Sequence, residues 1–469
     1  MAADDRRHDR SLARRLSPDD ISEAPHGAST LDCRQADDIT LRSAADDYVP
    51  HVVAWNLTRR CNLECAHCYI AAGPSESGDG ELSTAECLRI AAEILALNPA
   101  PLFILSGGEP LLRDDLETIA RFASSRGATV VVGTNGTLLT DARILSLRAA
   151  GVTGVAVSVD SLDARHHDNF RHGRGAFAAT SDAVARLRAH HLDFIIQTTV
   201  TKGNRSELAQ LVDWAAEQGG VSFNAYFLVP TGRGARLSDL SAAEYETVLA
   251  ELVEHHRRYL GRMLVRAKCA PHFMRLVHQL APDSPILNYE TRCPCGTQYC
   301  RITPDGKLTP CPYIPTAAGD LRATSFTEVW RDAPLFTALR ARELEGRCGQ
   351  CEYRALCGGC RARAFAESGS HLGEDPSCSY EPQRGTALIQ ALRPVTYGKP
   401  AIRALRWTPE AEARLARIPS FVRGVVAGRL EDYARRQGVF EITVELMAEV
   451  RRAMPVDFSV KRPFFLGEE

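Results

Sequence analysis

The sequence predicts an α/β protein: a partial (β/α)6 TIM-type barrel, then a cysteine-rich domain, then a small α-helical C-terminal domain. Three observations lead there. Short β-rich apolar runs alternate with helix-periodic stretches between residues 52 and 260, nine cysteines crowd between Cys293 and Cys378, and helix-length segments follow Trp407.

Residues 1–48 carry alternating acidic and basic runs with little apolar periodicity, the composition of a mobile arm that cannot offset its own ordering entropy. Six strand runs follow: VVAW, PLFIL, ATVVVGT, GVAVSVD, DFIIQTTV and VSFNAYFLV. They are almost continuously apolar, as parallel strands covered on both faces require, and the intervals leave room for crossover helices. In the first interval, Thr84 to Leu97, Leu88, Ala91, Ile94 and Leu95 fall on one helical face. Six pairs are too few for a closed eight-stranded barrel, so 49–265 is read as a partial one, with its chemistry at the strand C-terminal ends. Between 266 and 385 strand and helix signals fade while Cys, Gly and Pro rise, as in a connector and a domain folded around metal. A linker, 386–406, leads to a helical unit over 407–469, in which Thr408 caps a helix with Pro409 at its first position.

Composition narrows the function. Apolar residues make up 45% and charged residues 24%, and no run approaches the ~18 apolar residues of a membrane span. Lys+Arg 56 against Asp+Glu 58 leaves a net charge of −2, without the basic excess of a general nucleic-acid binder. Fifteen cysteines, an odd number, make a poor disulfide framework, and the charged N-terminus lacks the apolar core of a secretory signal. A cytoplasmic protein with clustered metal ligands is expected.

The run TRRCNLECAHCY places Cys61, Cys65 and Cys68 just after the first strand. Three thiolates can hold three irons of a [4Fe–4S] cubane and leave the fourth open to a ligand. A zinc site completed by His67 or another residue, or buried reduced thiols, would have the same spacing. Successive strand ends add Ser106-Gly107-Gly108-Glu109-Pro110, Thr134-Asn135-Gly136-Thr137 and Ser158-Val159-Asp160. Glycines let backbone approach a ligand, and a carboxylate can pair with an ammonium. C-x3-C-x2-C followed by Tyr69, with GGEP at the next strand end, resembles the radical S-adenosylmethionine superfamily. The resemblance implies that Cys61, Cys65 and Cys68 hold the catalytic cluster and that S-adenosylmethionine chelates the open iron. Tyr69 would adjoin the cofactor, Ser106, Gly107, Gly108, Glu109 and Pro110 would hold its amino group, and Asn135, Ser158 and Asp160 would flank its remainder.

Cys348-x2-Cys351-x5-Cys357-x2-Cys360 is followed by Cys378 and preceded by Cys293, Cys295, Cys300 and Gly306-x4-Cys311. Close cysteine pairs suit zinc and iron–sulfur alike. Nine thiols exceed one tetrahedral zinc by five and are one more than two four-cysteine clusters need. The region resembles the SPASM auxiliary-cluster domain, which implies one cluster on Cys348, Cys351, Cys357 and Cys378, and another on Cys300, Cys311, Cys360 and either Cys293 or Cys295. Cys357 and Cys360 have two residues between them where that family usually has three, so a single auxiliary cluster is also compatible.

LVPTGRG (228–234), CAPHFMR (269–275) and CEYRALCGGCRARAF (351–365) resemble the tetrapyrrole-modifying branch, which includes haem synthase and the decarboxysirohaem deacetylase of the alternative haem pathway. This implies radical attack on a propionate or acetate side chain, with reducing equivalents from a ferredoxin or flavodoxin. A tetrapyrrole is an apolar plate edged with carboxylates, so its site needs cations at the rim. Arg171, His172, Arg174, Arg233, His272 and Arg275 are the residues read as those cations. Cys87 is read as helix packing and Cys33 as part of the mobile arm, while Cys269 has either a pocket or ligand role or is simply buried. The C-terminal unit resembles the small terminal domain of light-independent protochlorophyllide reductase through Trp407, Glu410, Ala411, Leu415, Ile418, Pro419, Phe421, Arg423, Glu431, Ala434, Gly438, Ile442 and Thr443. Two other readings remain at this stage: a SPASM-type peptide maturase, for which the short polar arm offers no peptide-recognition domain, and a non-enzymatic iron–sulfur carrier.

Overall fold

The structure is a computed structural model that describes residues 48–237, 240–288, 292–383, 385–390, 405–418 and 420–452. The N-terminal arm up to residue 47, with Cys33, and most of the 386–406 linker lie outside the described residues.

All six predicted strands form: β1 (Val52–Asn56), β2 (Leu102–Ser106), β3 (Thr129–Thr134), β4 (Val152–Ser158), β5 (Asp193–Val200) and β6 (Ser222–Phe227). They pair in parallel in chain order, with helices α1 (Thr84–Leu97), α2 (Leu116–Ser124), α3 (Asp141–Ala149), α4 (Ala164–Arg171), α5 (Ala176–Ala189) and α6 (Leu208–Glu217) between them. Helix α1 starts in a capping box of Ser83 and Glu86 and buries Cys87, Ile90, Ala91 and Ile94 as one stripe. Along β5, Phe194, Ile196, Thr198 and Val200 are buried while the alternate positions are half-exposed. The barrel therefore has an apolar helix-facing side and a polar interior side.

Two strands extend this set. Helix α7 (Ala242–Arg258) leads to β7 (Leu264–Lys268), parallel to β6, and α8 (His272–Leu280) follows. Strand β8 (Tyr299–Ile302) then returns to the other edge and pairs in parallel with β1, as Val53 with Cys300 and Ala54 with Arg301. Strands β9 (Lys307–Thr309) and β10 (Gly319–Asp320) continue antiparallel, giving one open sheet ordered β10-β9-β8-β1-β2-β3-β4-β5-β6-β7. The predicted strand signal of this region was weak because β8 to β10 have only two to four residues each. Helices α9 (Phe326–Asp332), α10 (Pro334–Ala341), α11 (Gly346–Gln350) and α12 (Arg361–Ser368) complete the cysteine-rich region. Phe326, Trp330 and Phe336 join the same core as Trp55 and Phe103, so barrel and cysteine-rich region share one apolar interior.

The C-terminal unit contains α13 (Pro409–Ala416), α14 (Ser420–Arg436) and α15 (Val444–Arg452), tied by a short parallel ladder of β11 (Arg406–Trp407) and β12 (Glu441–Ile442). Its own core includes Trp407, Leu415, Leu430, Ala434 and Ile442. Several of the pattern residues serve this packing. The Trp407 indole donates to Glu431 (3.1 Å), and Arg423 donates to the Ala416 and Ile418 carbonyls at the end of α13. Pro419 and the Phe421 side chain lie outside the described residues. Ser420 docks the unit on the barrel: its N–H donates to the Ala100 carbonyl (3.0 Å), and its hydroxyl is 2.8 Å from both His51 Nδ1 and Asn98 Nδ2. His51 precedes β1 and Ala100 precedes β2, so the unit sits at the strand N-terminal end, opposite the predicted chemistry.

Burial, with Arg423 adding to it, holds the His51 imidazole down at about 4. Once undocked, the ring would titrate near its ordinary ~6.5, so docking is fully favoured above that pH and weakens as pH falls toward 4. Between pH 7 and 5 the loss is about 2 kcal/mol, so protease cleavage within 405–452 should rise roughly 20-fold more in the wild type than in H51Q. Equal pH dependence in the two proteins would contradict this role for His51.

Candidate active site and thiol groups

Beyond Asn56 the chain enters the loop that carries Cys61, Cys65 and Cys68, which pack with Leu63, Ala72 and Ala176. Each sulfur accepts an N–H: Cys61 from Leu63 (3.4 Å), Cys68 from Ala72 (3.3 Å) and Cys65 from the Arg171 guanidinium (3.9 Å). Burial, joined by the neighbouring Glu109, Cys65 and Cys68 and opposed by the Leu63 N–H, pushes the Cys61 thiol up to about 12. Such a thiol ionises when a metal takes the proton's place, so the donor set fits a thiolate-bound iron–sulfur cluster. His67, the histidine beside these thiols, is half-buried and stacks on Phe170 with ring centroids 4.6 Å apart. Among the described residues no three His, Cys, Asp or Glu side chains are arranged to hold a single metal ion.

The neighbouring strand ends clamp this loop. Gly108 and Glu109 donate backbone N–H groups to the Thr58 and Arg60 carbonyls (2.7 and 2.9 Å). A Cβ at Gly107 (φ +143°) would lie 2.5 Å from the Thr58 oxygen, and one at Gly108 would lie 2.3 Å from that of Arg60. Only glycine permits this approach. On the other side, Arg233 donates to the Cys65 (2.9 Å) and Ala72 (2.6 Å) carbonyls. Beneath the loop Arg171 forms a buried ion pair with Asp160 (2.5 Å) and reaches Cys65.

These contacts change several expected roles. Glu109 accepts from Thr134 Oγ1, Asn135 N and Leu111 N, while burial, against those bonds, raises its carboxyl to about 7. Its carboxylate thus shapes the turn, and Pro110 opens the short helical turn that follows. Asp160 likewise has its two oxygens taken, by Arg171 and by the Thr199 N–H (2.7 Å). Arg171 is buried and Arg233 half-buried, and the bonds each makes hold the loop. Asn135 donates to Asn62 (2.9 Å) and toward Cys61 (3.9 Å), and Tyr69 accepts from Asn56 (2.7 Å). Ser106 and Ser158 are half-buried at their strand ends, and His172 and Arg174 stand exposed after α4.

The second cysteine region divides into two groups. Cys348, Cys351, Cys357 and Cys378 line one cavity, and the first three accept backbone N–H groups from Asp375, Tyr353 and Gly359 (3.5, 3.4 and 3.5 Å). His272 and Arg275, expected at the substrate rim, line this cavity instead. Arg275 pairs with Glu246 (2.6 Å), and His272 lies 3.3 Å from buried Asp375. Cys269, Cys293, Cys295, Cys311 and Cys360 pack together in a second group. Cys300 is not among them: strand alternation turns it with Ile302 into the barrel's apolar core.

The interior face supplies site residues that loop-based reasoning missed. Strand register places Gln197, Asn224 and Arg266 on one side chain row and pairs Tyr226 with Lys268. Tyr69 and Tyr313 face each other at 5.2 Å, with Tyr226 and Tyr299 among their neighbours. Together they make a polar and aromatic wall between the Cys61 loop and the second thiol group. The signal was present as alternating polar positions in NAY, RAK and YCR.

Three family models match the chain: Radical SAM superfamily over 55–215, Iron-sulfur cluster-binding domain over 293–360, and Proto-chlorophyllide reductase 57 kD subunit over 407–451. The AdoMet-dependent heme synthase of Methanosarcina barkeri is 42% identical over 71% of this chain and 97% of its own. The pre-heme d1 synthase of Dinoroseobacter shibae is 30% identical over 70% of this chain and 85% of its own. Streptococcus suis SuiB bound to S-adenosylmethionine shares the fold, with a TM-score of 0.59 at 15% identity over 71% of this chain and 78% of that one.

Removing one partner of a buried ion pair leaves an uncompensated charge. Arg171→Met should therefore destabilise the iron-free protein by about 3 to 5 kcal/mol, and the D160N/R171M double variant should recover most of that loss. Thermal melting of the three proteins checks this, and an R171M melt equal to wild type would show that the pair does not hold the loop.

Proposed function

We propose that this chain, which belongs to the radical SAM superfamily, decarboxylates tetrapyrrole propionate side chains to vinyl groups in haem-type biosynthesis. The observation that carries the reading is 42% identity to a haem synthase along nearly that protein's whole length, with the three-cysteine loop and its clamps in place. It is an enzyme using S-adenosylmethionine and [4Fe–4S] clusters, so the non-enzymatic carrier falls away, and the peptide maturase has less support. When bound, the cluster and S-adenosylmethionine supply a 5′-deoxyadenosyl radical that removes a hydrogen atom from substrate.

The chain's own residues account for the rest. Cys61, Cys65 and Cys68 hold the catalytic cluster, and the Gly107-Gly108 backbone and Asn135 border the cofactor space. Cys348, Cys351, Cys357 and Cys378 hold an auxiliary cluster. Tyr226, Tyr299 and Tyr313 give the plate of a tetrapyrrole an aromatic wall, while Arg266 and Lys268 bring positive charge to the interior face for its carboxylates. His172 and Arg174 are outer-rim contacts. Loss of CO2 and one hydrogen atom from a propionate leaves one electron to be removed, which suits a site bordered by further cluster-type thiol groups. Reducing equivalents come from a low-potential ferredoxin or flavodoxin in the cytoplasm. Among the described residues no helix is long and apolar enough to cross a membrane, and a net charge of −2 gives no general attraction to nucleic acid.

The reading is tested by anaerobic reconstitution and a panel of tetrapyrroles. Iron-coproporphyrin should stimulate 5′-deoxyadenosine release at least ~10-fold over decarboxysirohaem, equivalent to about 1.4 kcal/mol of discrimination. Cys65→Ala should abolish release. Preference for decarboxysirohaem would move the assignment to acetate removal, and inactivity on every tetrapyrrole would overturn it.

A further inference from the structure

We infer that Arg301 is a specificity-determining cation of the reaction: with the Tyr69 hydroxyl it binds one propionate carboxylate of the tetrapyrrole, at the β1–β8 side of the barrel interior. This deepens the reading above and rests on the substrate being a tetrapyrrole.

Among the described residues six arginines are buried, and for five of them the protein itself supplies the partners. Arg113, Arg171, Arg275 and Arg363 each stand against a carboxylate, at 2.6, 2.5, 2.6 and 3.5 Å. Arg361 instead donates to the carbonyls of Gly358, Gly359, His371 and Gly373. Arg301, only 6% exposed, has neither arrangement. Its Nε donates to Thr309 Oγ1 and its Nη1 to the Pro312 carbonyl, both at 3.0 Å, and among the described residues no carboxylate forms an ion pair with it. Asp305, the one carboxylate acting on it from farther off, accepts from the Thr303 hydroxyl (2.6 Å). A guanidinium keeps its charge at any ordinary pH, so a buried one without a counter-charge is costly and marks a place for an anion.

The fold turns that guanidinium into the barrel. Cys300 and Ile302 join the apolar core, so Arg301 between them faces the interior, opposite Ala54 of β1. Two residues further along the same face of β1, Asn56 Nδ2 donates to the Tyr69 hydroxyl (2.7 Å). The phenol therefore keeps its own hydrogen to donate. From the other side, Pro312, which accepts from Arg301, precedes Tyr313, whose ring lies 5.2 Å from that of Tyr69. The guanidinium is also fixed in orientation, because the Thr309 hydroxyl that accepts its Nε donates onward to the Cys311 carbonyl (3.1 Å). One N–H of Nη1 and both of Nη2 remain, the pair of nitrogens that grips a carboxylate end-on. Tyr69 directly follows Cys68, so a carboxylate held here lies beside the Cys61–Cys68 loop. Arg266 and Lys268 stand on β7, at the other end of the parallel set, and meet carboxylates of the opposite rim.

The test uses the full chain, reconstituted anaerobically, and measures dissociation constants for iron-coproporphyrin, for its tetramethyl ester and for S-adenosylmethionine. Wild type should bind the acid at least ~10-fold more tightly than the ester. Arg301→Met should weaken acid binding roughly 10- to 100-fold, the worth of a charge-assisted pair, and leave ester binding within about twofold. Arg301→Lys keeps the charge without the fork and should recover part of the loss, while Tyr69→Phe should lose roughly 3- to 10-fold for the acid alone. Iron content and S-adenosylmethionine affinity should match wild type in both Arg301 variants. Equal acid affinity in wild type and R301M would overturn the assignment. So would a loss confined to S-adenosylmethionine, which would make the cofactor's carboxylate the anion. If R301M sheds iron, R301K decides: weaker binding of the acid but not the ester supports the assignment, and wild-type binding of both makes Arg301 a support of the Cys311 hairpin and overturns it. A wild type that binds no tetrapyrrole would instead sink the underlying reading.

Discussion

Parallel pairing of β8 with β1 is the constraint on which the rest of the molecule depends. Strand β1 ends at the loop bearing Cys61, Cys65 and Cys68, while β8 opens the hairpin that carries Cys311. With Val53 opposite Cys300 and Ala54 opposite Arg301, the cysteine-rich region becomes a continuation of the barrel sheet. The shared core through Trp55, Phe103, Trp330 and Phe336 then makes the join rigid. Both the Cys61–Cys68 loop and the further thiol groups are thereby held relative to a single sheet.

On that frame, several buried charges position the segments that carry sulfur. Arg171 with Asp160 fixes Cys65, Arg233 fixes the loop carbonyls, and Arg363 with Asp375 fixes Cys269 and Cys360. Each guanidinium forms several directional bonds at once, so a loop that has no secondary structure of its own gains a defined shape. The C-terminal unit takes no part in this. Its docking through Ser420 and His51 is at the opposite end of the strands.

Much of this was legible in the sequence. The six strand runs appear where apolar runs place them, and the first helix appears over Thr84–Leu97 because its capping residues and apolar stripe agree. The three-cysteine loop and GGEP turn meet because both follow parallel neighbours, β1 and β2. What composition could not reveal was pairing over long distances. Arg171, Arg233 and Arg275 have the right charge for substrate carboxylates, yet Asp160, loop carbonyls and Glu246 engage them, and burial holds the His272 ring down at about 4. Cys300 has suitable spacing for a ligand, but its strand turns it inward. Lys268 and Tyr226 went unrecognised as wall residues because β7 is short and its alternation had no predicted partner strand.

The proposed reaction requires a hydrogen atom to pass directly from a tetrapyrrole side chain to the cofactor-derived radical. The most direct measurement uses iron-coproporphyrin deuterated at the propionate carbon next to the ring and mass analysis of the released 5′-deoxyadenosine. The expected result is deuterium in 5′-deoxyadenosine together with a vinyl product and CO2. Unlabelled 5′-deoxyadenosine with the tetrapyrrole recovered unchanged would contradict it.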